Sequence, residues 1–217
     1  MGRKEEAYEY IKNEILTNRL RPGMAIREMD ISEALKISRT PIREALRDLE
    51  ADGLVTSYAS RGVFVKPFTP YDVEEISDLR TLIEVWSLER GFNRITDQEL
   101  DQLQADFETA WTNKDWDLNH KADRLLHRTI VEKSGSSRIV QFMNTLNTQI
   151  ERVRLVSTQH YGRSEMSYRE HLNIIQCIRS RNLEKSKQAL RTHLQSVGTS
   201  AVEAAKNLEI DLRIQNP

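Results

Sequence analysis

The chain has 217 residues, of which 38% are hydrophobic and 30% are charged, a composition typical of a globular protein with a packed core. Its formal net charge is only −1, which excludes a global positive field, so any contact with nucleic acid has to come from a local basic patch. We expect a cytoplasmic protein without a membrane partner, because there is no apolar run of about 18 residues and the N-terminus lacks the apolar core of a secretion signal.

The first residues of the chain predict two short helices. Apolar residues recur at helical spacing over residues 4–17, and Asn18 can end that helix in the left-handed conformation. Residues 29–35 predict a second helix with Ile31, Ala34 and Leu35 facing inward. A connection of three residues leads to the next helical stretch. Two short helices joined in this way are typical of a helix-turn-helix unit.

Residues 37–53 form the most informative stretch of the chain. Arg39, Arg43 and Arg47 follow one another at i, i+4 and i+8, so they share one face of a helix, while apolar residues occupy the other face. Ser38 or Thr40 can cap its start. A helix of this size and charge can lie in the major groove of DNA. The alternative is a solvated basic face, with arginines paired to nearby acidic residues on the same helix: Glu44, Asp48 or Glu50.

A β-hairpin is predicted directly after this helix. Residues 54–57 and 63–66 are rich in β-branched residues, and the loop between them ends in Gly62. Arg61 at the tip of this wing can reach a phosphate or the minor groove. The alternative for Arg61 is an ordinary exposed loop arginine.

Residues 7–66 resemble the winged helix-turn-helix of the GntR family of bacterial transcription regulators. The resemblance lies mainly in the block Ser-Arg-Thr-Pro-Ile-Arg-Glu-Ala-Leu at 38–46, with Leu-Arg-Pro-Gly at 20–23, Asp-Gly-Leu-Val at 52–55 and Gly-Val-Phe-Val at 62–65. It implies DNA contacts through the helix and the wing. The candidate DNA-binding residues are Ser38, Arg39, Thr40, Arg43, Arg47, Arg61 and Gly62.

The second half of the chain predicts a helical bundle. The paired prolines at 67–70 indicate a linker, which divides the chain into a DNA-binding domain at 1–66 and a helical domain at 71–217. Six helical stretches follow the linker, at about 70–92, 97–114, 115–133, 137–160, 164–180 and 182–207. The stripe predicted to face the core in the first of them comprises Val73, Ile76, Leu79, Ile83 and Trp86. The fold class is therefore mainly α, a small winged helix followed by an antiparallel bundle.

Histidines carry the second chemical signal. Asp123 and His127 stand at i and i+4 on one helix, and His171 and His193 lie beside apolar residues on two others. Each alone would be a hydrogen-bonded core residue, but three imidazoles and one carboxylate on three helices can converge on a divalent metal. Zinc, manganese, nickel and iron all suit these ligands. The two other histidines, at 120 and 160, are expected at the surface.

The helical half resembles the FCD domain of the FadR branch of the GntR family, and its six helices resemble the VanR-type subgroup. The matching residues are Asp123, His127, Glu170-His171 and His193, together with Leu-Arg-Thr-Leu-Ile-Glu at 79–84. This resemblance implies a divalent metal held by the aspartate and the three histidines, with a small carboxylate effector beside it. Candidate effector-binding residues are Arg80, Arg152 and Arg154, although Arg80 can equally form a surface salt bridge with Glu84.

The two resemblances together imply a homodimeric transcription regulator that binds a palindromic operator and responds to a small organic acid. Two alternatives stay open at this point. One is a metal-dependent hydrolase built on the helical bundle, since an open metal site can activate water. The other is an architectural DNA-binding protein whose helical half is purely structural.

Overall fold

The computed structural model describes residues 2–158 and 162–215, which form a small N-terminal α/β unit and a helical bundle. The N-terminal unit contains helices α1 (Arg3–Leu16), α2 (Glu28–Leu35) and α3 (Arg39–Ala51) and strands β1 (Ala25–Ile26), β2 (Val55–Tyr58) and β3 (Gly62–Val65). The bundle contains α4 (Pro70–Gly91), a 3₁₀ turn (Phe92–Arg94), α5 (Asp97–Asn113), α6 (Trp116–Lys133), α7 (Ser137–Ser157), α8 (Arg163–Arg179) and α9 (Leu183–Gln215). In the described part of the chain, no helix is long and apolar enough to cross a bilayer.

The N-terminal unit is a winged helix-turn-helix, which confirms the predicted fold. Lys36 takes the left-handed conformation at φ 56° and turns the chain between α2 and α3, and Gly53 ends α3 at φ 71°. One face of α3 is buried through Ile42, Leu46 and Leu49 against α1. The prediction for Ala34 is wrong, because that residue is exposed on the outer side of α2.

The wing is part of a three-stranded antiparallel sheet in the order β1-β3-β2. Tyr58 pairs with Gly62 across the turn, and Gly62 has a φ of 92° that suits glycine. Strand β1 was not predicted, because two residues are too short to show an alternating pattern. Ser38 occupies the N-cap position of α3, but its side chain makes no capping hydrogen bond, so the predicted cap is wrong for this residue.

The bundle begins with a well-defined cap. Thr69 accepts a hydrogen bond from the amide of Asp72, whose carboxylate accepts one from the Thr69 amide, and Pro70 is the first residue of α4. The six predicted helices are all present within the described residues. The last one continues to Gln215, beyond its predicted end.

The inward face of α4 differs from the predicted stripe. Val73 and Ile76 are buried as expected, but Trp86 is 42% exposed. The face that meets the core is offset by one residue and carries charged side chains, because Arg80 and Glu84 are both buried. The hydrophobic pattern alone could not indicate this, since it assumes that charged residues point outward.

We predict that Gly91→Ala destabilises the bundle. A Cβ atom at this position would lie 2.4 Å from the carbonyl carbon of Lys133 in α6. Alanine normally favours a helix over glycine, so a loss of stability has to come from this contact. Overpacking of this kind costs about 1–3 kcal/mol, which a thermal melt followed by circular dichroism would detect as a lower Tm. Glu74→Ala, on the exposed side of α4, is the control, and an unchanged Tm in Gly91→Ala would contradict the close approach.

Candidate metal centre and nucleic-acid interface

Four buried side chains from three helices converge inside the bundle. They are Asp123 and His127 on α6, His171 on α8 and His193 on α9. One ligand atom from each lies within 4.8 Å of every other, a spacing compatible with a single cation. The i, i+4 spacing on α6 places Asp123 and His127 on one inward face. Apolar neighbours surround His171 on α8 and His193 on α9, so the faces of these helices that carry the two histidines are buried as well.

Unpaired polar atoms indicate that this cluster fits a metal. Nε2 of His127, Nε2 of His193 and both ring nitrogens of His171 are buried and make no hydrogen bond to the described residues. Nε2 of His171 lies 3.1 Å from Oδ1 of Asp123, but without hydrogen-bond geometry. Buried polar atoms normally have a partner, and a cation would supply one for several of these at once. Three imidazole nitrogens and one carboxylate oxygen form a donor set for a divalent transition metal.

Two glutamates orient the histidines from behind. Oε2 of Glu84 lies 2.5 Å from Nδ1 of His127, and Oε2 of Glu170 lies 2.8 Å from Nδ1 of His193. Each carboxylate thereby fixes Nδ1 as the protonated nitrogen and leaves Nε2 free to face the cluster, an arrangement common around metal-bound histidines. An arginine holds each glutamate in turn: Arg80 Nε lies 2.6 Å from Glu84, and Arg163 Nη2 lies 2.6 Å from Glu170.

The electrostatics of the cluster favour charged carboxylates, and they favour neutral imidazoles at His171 and His193. Burial alone would raise the pKa of Glu84, but the charges of Arg80 and His127 lower this pKa to about 2. Burial likewise opposes ionisation of Asp123, yet the neighbouring Arg154 holds its pKa well below the usual range. Burial lowers the pKa of His171 and His193. Neutral imidazoles keep a lone pair available, as metal ligation requires.

The three candidate effector arginines lie in different places. Arg154 belongs to the cluster, because its Nε lies 2.6 Å from Oδ2 of Asp123, although without hydrogen-bond geometry. Arg80 forms the predicted salt bridge with Glu84, but this pair is buried rather than on the surface. The structure does not bring Arg152 to the cluster: its guanidinium donates to the carbonyl of Lys66 and lies 4.2 Å from the ring of Phe68.

Two cavities adjoin the cluster, and Arg154 lines both. The smaller cavity, of about 270 Å³, reaches Asp123 and His171 and is otherwise lined largely by polar residues. The larger cavity, of about 530 Å³, reaches His127 and Glu84. His120, which was expected at the surface, is half-buried and lines the smaller cavity. His160 lies outside the described residues.

Sequence reasoning missed the supporting role of two residues. Glu84 was considered only as a surface partner of Arg80, although the i, i+4 spacing of this pair was visible. Arg163 gave no signal, since an arginine in the first turn of a helix is ordinarily exposed. Arg163 contacts Glu170, which lies about two turns further along the same face of α8.

The arginine face of α3 is exposed, as the sequence predicted. Arg39, Arg47 and Arg61 have no carboxylate partner among the described residues, and Ser38, Thr40 and Gly62 are exposed beside them. Arg43 lies 2.8 Å from Glu28 of α2. Two of the three acidic residues on α3 are engaged elsewhere, because Asp48 pairs with Lys4 and Glu50 accepts a hydrogen bond from Ser57.

Both halves of the chain match families of known proteins. Residues 3–65 match the bacterial regulatory proteins of the gntR family, and residues 75–196, more than half of the chain, match the FCD domain. The chain therefore belongs to the GntR family of regulators and carries an FCD domain. It is a transcription regulator with a DNA-binding winged helix, as the two resemblances implied. The VanR-type subgroup remains a prediction.

Individual relatives span nearly the whole chain. The chain is 26% identical to the HTH-type transcriptional repressor RspR of Escherichia coli K12 over 199 residues, which cover 90% of this chain and 87% of that protein. Its fold is similar to a structure described as a transcriptional regulator GntR from Rhodococcus sp. RHA1, with a TM-score of 0.74, 24% identity and coverage of 94% and 99% of the two chains. It is also similar to the Zn²⁺-bound FCD domain of TM0439, with a TM-score of 0.55, 25% identity and coverage of 65% and 96%.

We predict that Glu84→Gln weakens metal binding. Glutamine keeps the size of the side chain but loses the charge that holds Nδ1 of His127 protonated. Loss of such a supporting contact typically lowers metal affinity about 10- to 100-fold, which a competition titration against a chelator would measure. Glu89→Gln is the matched control, since Glu89 lies on the exposed side of α4 and pairs with Lys187. Equal affinity in the two variants would show that Glu84 does not support the centre.

Proposed function

We propose that this protein is a homodimeric transcription regulator whose affinity for a palindromic operator is controlled by a small carboxylate bound at a metal-centred cavity. The observation that carries the proposal is the buried cluster of one aspartate and three histidines, with unpaired ring nitrogens beside the smaller cavity. RspR is named a repressor, and we propose the same direction of control for this chain.

The operator is recognised through α3 and the wing. Arg39, Arg43 and Arg47 enter the major groove with the exposed face of α3, and Arg61 reaches the backbone or the minor groove from the wing. A single winged helix contacts few base pairs, so a two-fold dimer reading two half-sites is needed for useful specificity. Half-sites about one helical turn apart, roughly 34 Å, suit such a dimer on straight DNA.

The metal is held by Asp123, His127, His171 and His193. This donor set suits zinc, manganese, nickel or iron, and the similarity to the Zn²⁺-bound FCD domain favours zinc. When bound, the metal supplies positive charge and a coordination position for a carboxylate oxygen. Arg154 is the protein's own partner for the effector, because it lines the smaller cavity and adjoins Asp123. We do not assign this role to Arg80 or Arg152, because Arg80 is paired with Glu84 and Arg152 donates to the carbonyl of Lys66.

Helix α7 is the structural route between the effector and the DNA-binding unit. Arg154 of α7 lines both cavities next to the cluster. On the other side of the same helix, Gln149 donates to the carbonyl of Asp52, directly after α3, and Arg152 donates to the carbonyl of Lys66. A shift of α7 that accompanies effector binding would therefore reach the C-terminal end of α3 and the C-terminal end of the wing.

We propose no enzymatic role for the cluster. A hydrolase needs a free carboxylate that can act as a general base beside the metal. Glu84 and Glu170, the carboxylates that contact the histidines from behind, are each held by an arginine and a histidine. A purely architectural role would not account for the buried unpaired nitrogens of the cluster.

The first functional test concerns operator recognition. We predict that Arg43→Ala weakens specific operator binding by about 1–3 kcal/mol and relaxes the preference at one base pair in each half-site. Titrations of operator and unrelated DNA at fixed salt would measure this, with Arg138→Ala, exposed at the start of α7, as a control for loss of positive charge. An equal loss on every sequence would mean that Arg43 contacts only phosphate. Unchanged operator affinity would exclude α3 as the reading helix.

The second functional test concerns coupling. We predict that effector binding changes operator affinity about 5- to 150-fold, and that operator DNA changes effector affinity by the same factor. His171→Ala should lower the metal content and abolish this response while basal operator binding persists, because His171 lies far from the DNA-binding face. Gln176→Ala, on the exposed side of α8, is the control. A full response from metal-free His171→Ala would make the metal centre structural rather than regulatory.

A further inference from the structure

Arg163 is a buried arginine whose hydrogen-bonding capacity is only partly used. It begins α8, is 1% exposed and lines the smaller cavity. Its Nη2 donates to Glu170, whereas Nε and Nη1 have no hydrogen-bond partner among the described residues. Proteins rarely leave guanidinium donors buried and unpaired, so a molecule that fills this cavity needs acceptor atoms at the Arg163 end.

A bound divalent metal would leave an excess of positive charge around the cluster. Three carboxylates meet three guanidinium groups: Asp123 lies beside Arg154, Glu84 beside Arg80 and Glu170 beside Arg163. The imidazoles must be neutral to ligate a metal, so they add no charge. A divalent cation therefore brings two positive charges that no carboxylate of this set offsets. Buried charge is normally compensated, and a ligand carrying two negative charges would restore the balance.

The smaller cavity suits such a ligand better than the larger one. It reaches two residues of the cluster, Asp123 and His171, and contains both Arg154 and the unpaired donors of Arg163. In the larger cavity, Arg124 and Arg128 are substantially exposed and each lies 3.8 Å from a glutamate. Exposed cations of this kind are already solvated and gain little from a bound anion.

We propose that the effector is a short dicarboxylate, with one carboxylate at the cluster beside Arg154 and the other bound by Arg163. This inference rests on the proposed function and deepens it by assigning the ligand class. The cavity of about 270 Å³ suits a molecule with a short carbon chain rather than a large aromatic acid. The hydroxyl groups of Ser164 and Ser167 also line it and can donate to the remaining carboxylate oxygens.

The test compares acids that differ only in the second charge. Malonate, succinate, glutarate and adipate, and the monoamide of each, would be titrated calorimetrically into metal-loaded protein. We expect at least one dicarboxylate to bind about 10- to 100-fold more tightly than its own monoamide, because a charge-assisted contact to a buried guanidinium replaces a neutral one. In protein stripped of metal with a chelator, this preference should disappear, since the two positive charges of the metal are then absent.

Two arginines at opposite ends of the same helix provide the matched variants. Arg163→Gln should reduce the preference for the dicarboxylate to less than about threefold, while Arg179→Gln, whose arginine pairs with Asp101 away from the cavity, should keep it. The metal content of each variant is measured in parallel, because Arg163 also holds Glu170 behind His193. Arg163→Lys, which retains the positive charge, should retain part of the preference.

The outcomes separate this inference from the function on which it rests. If monoamides bind as tightly as the dicarboxylates, the dicarboxylate assignment is overturned and carboxylate sensing stands. If inorganic phosphate binds more tightly than any of them, both the dicarboxylate assignment and the carboxylate effector are overturned. A full preference in metal-loaded Arg163→Gln overturns the role of Arg163. If no carboxylate of either kind binds the metal-loaded protein, the inference and the proposed function fail together.

Discussion

The buried contacts of Glu84 stabilise the helical bundle that contains the metal cluster. A carboxylate inside a helical bundle is costly unless it is fully paired, and Glu84 is paired by Arg80 on its own helix and by His127 on α6. This pairing fixes the distance and rotation between the two helices and points Nε2 of His127 at the cluster. Glu170 repeats the arrangement between α8 and α9 through Arg163 and His193. Removal of either glutamate would therefore loosen helix packing and the metal centre at the same time.

Helix α7 packs against these pairs and contacts both the metal cluster and the DNA-binding unit. Ile150 and Val153 bury one side of α7 against α4 and α9, so the helix is anchored in the bundle core. Arg154 extends from the same segment to Asp123, and Glu151 lies 3.7 Å from Lys12 of α1. A rigid element that contacts both units can transmit a displacement without a change in the linker. This arrangement gives the proposed coupling a physical path that can be tested by substitution in α7.

The sequence predicted what depends on local spacing. The i, i+4 step from Asp123 to His127 and the apolar neighbours of His171 and His193 were sufficient to predict that these four side chains converge. It could not predict Arg152 or Arg163, because the surroundings of a long side chain depend on the packing of distant helices. Arginines at positions 152, 154 and 163 look alike in sequence, yet one contacts the linker, one the cluster and one a supporting glutamate. The inward face of α4 was missed for the same reason, since Glu84 is paired not only by Arg80 on its own helix but also by His127, which lies 43 residues further along the chain.

The pair between Arg43 and Glu28 bears on how a nearly neutral protein can select one DNA sequence. The pair is exposed, and exposed salt bridges contribute only about 0–1 kcal/mol, so exchanging Glu28 for a base edge costs little. On DNA that offers Arg43 no base acceptor, the pair would persist, so Arg43 would offer the phosphates no net positive charge. Non-specific binding depends chiefly on phosphate contacts. If Arg43 reads a base as proposed, its pairing with Glu28 would weaken non-specific binding more than operator binding and so would increase specificity.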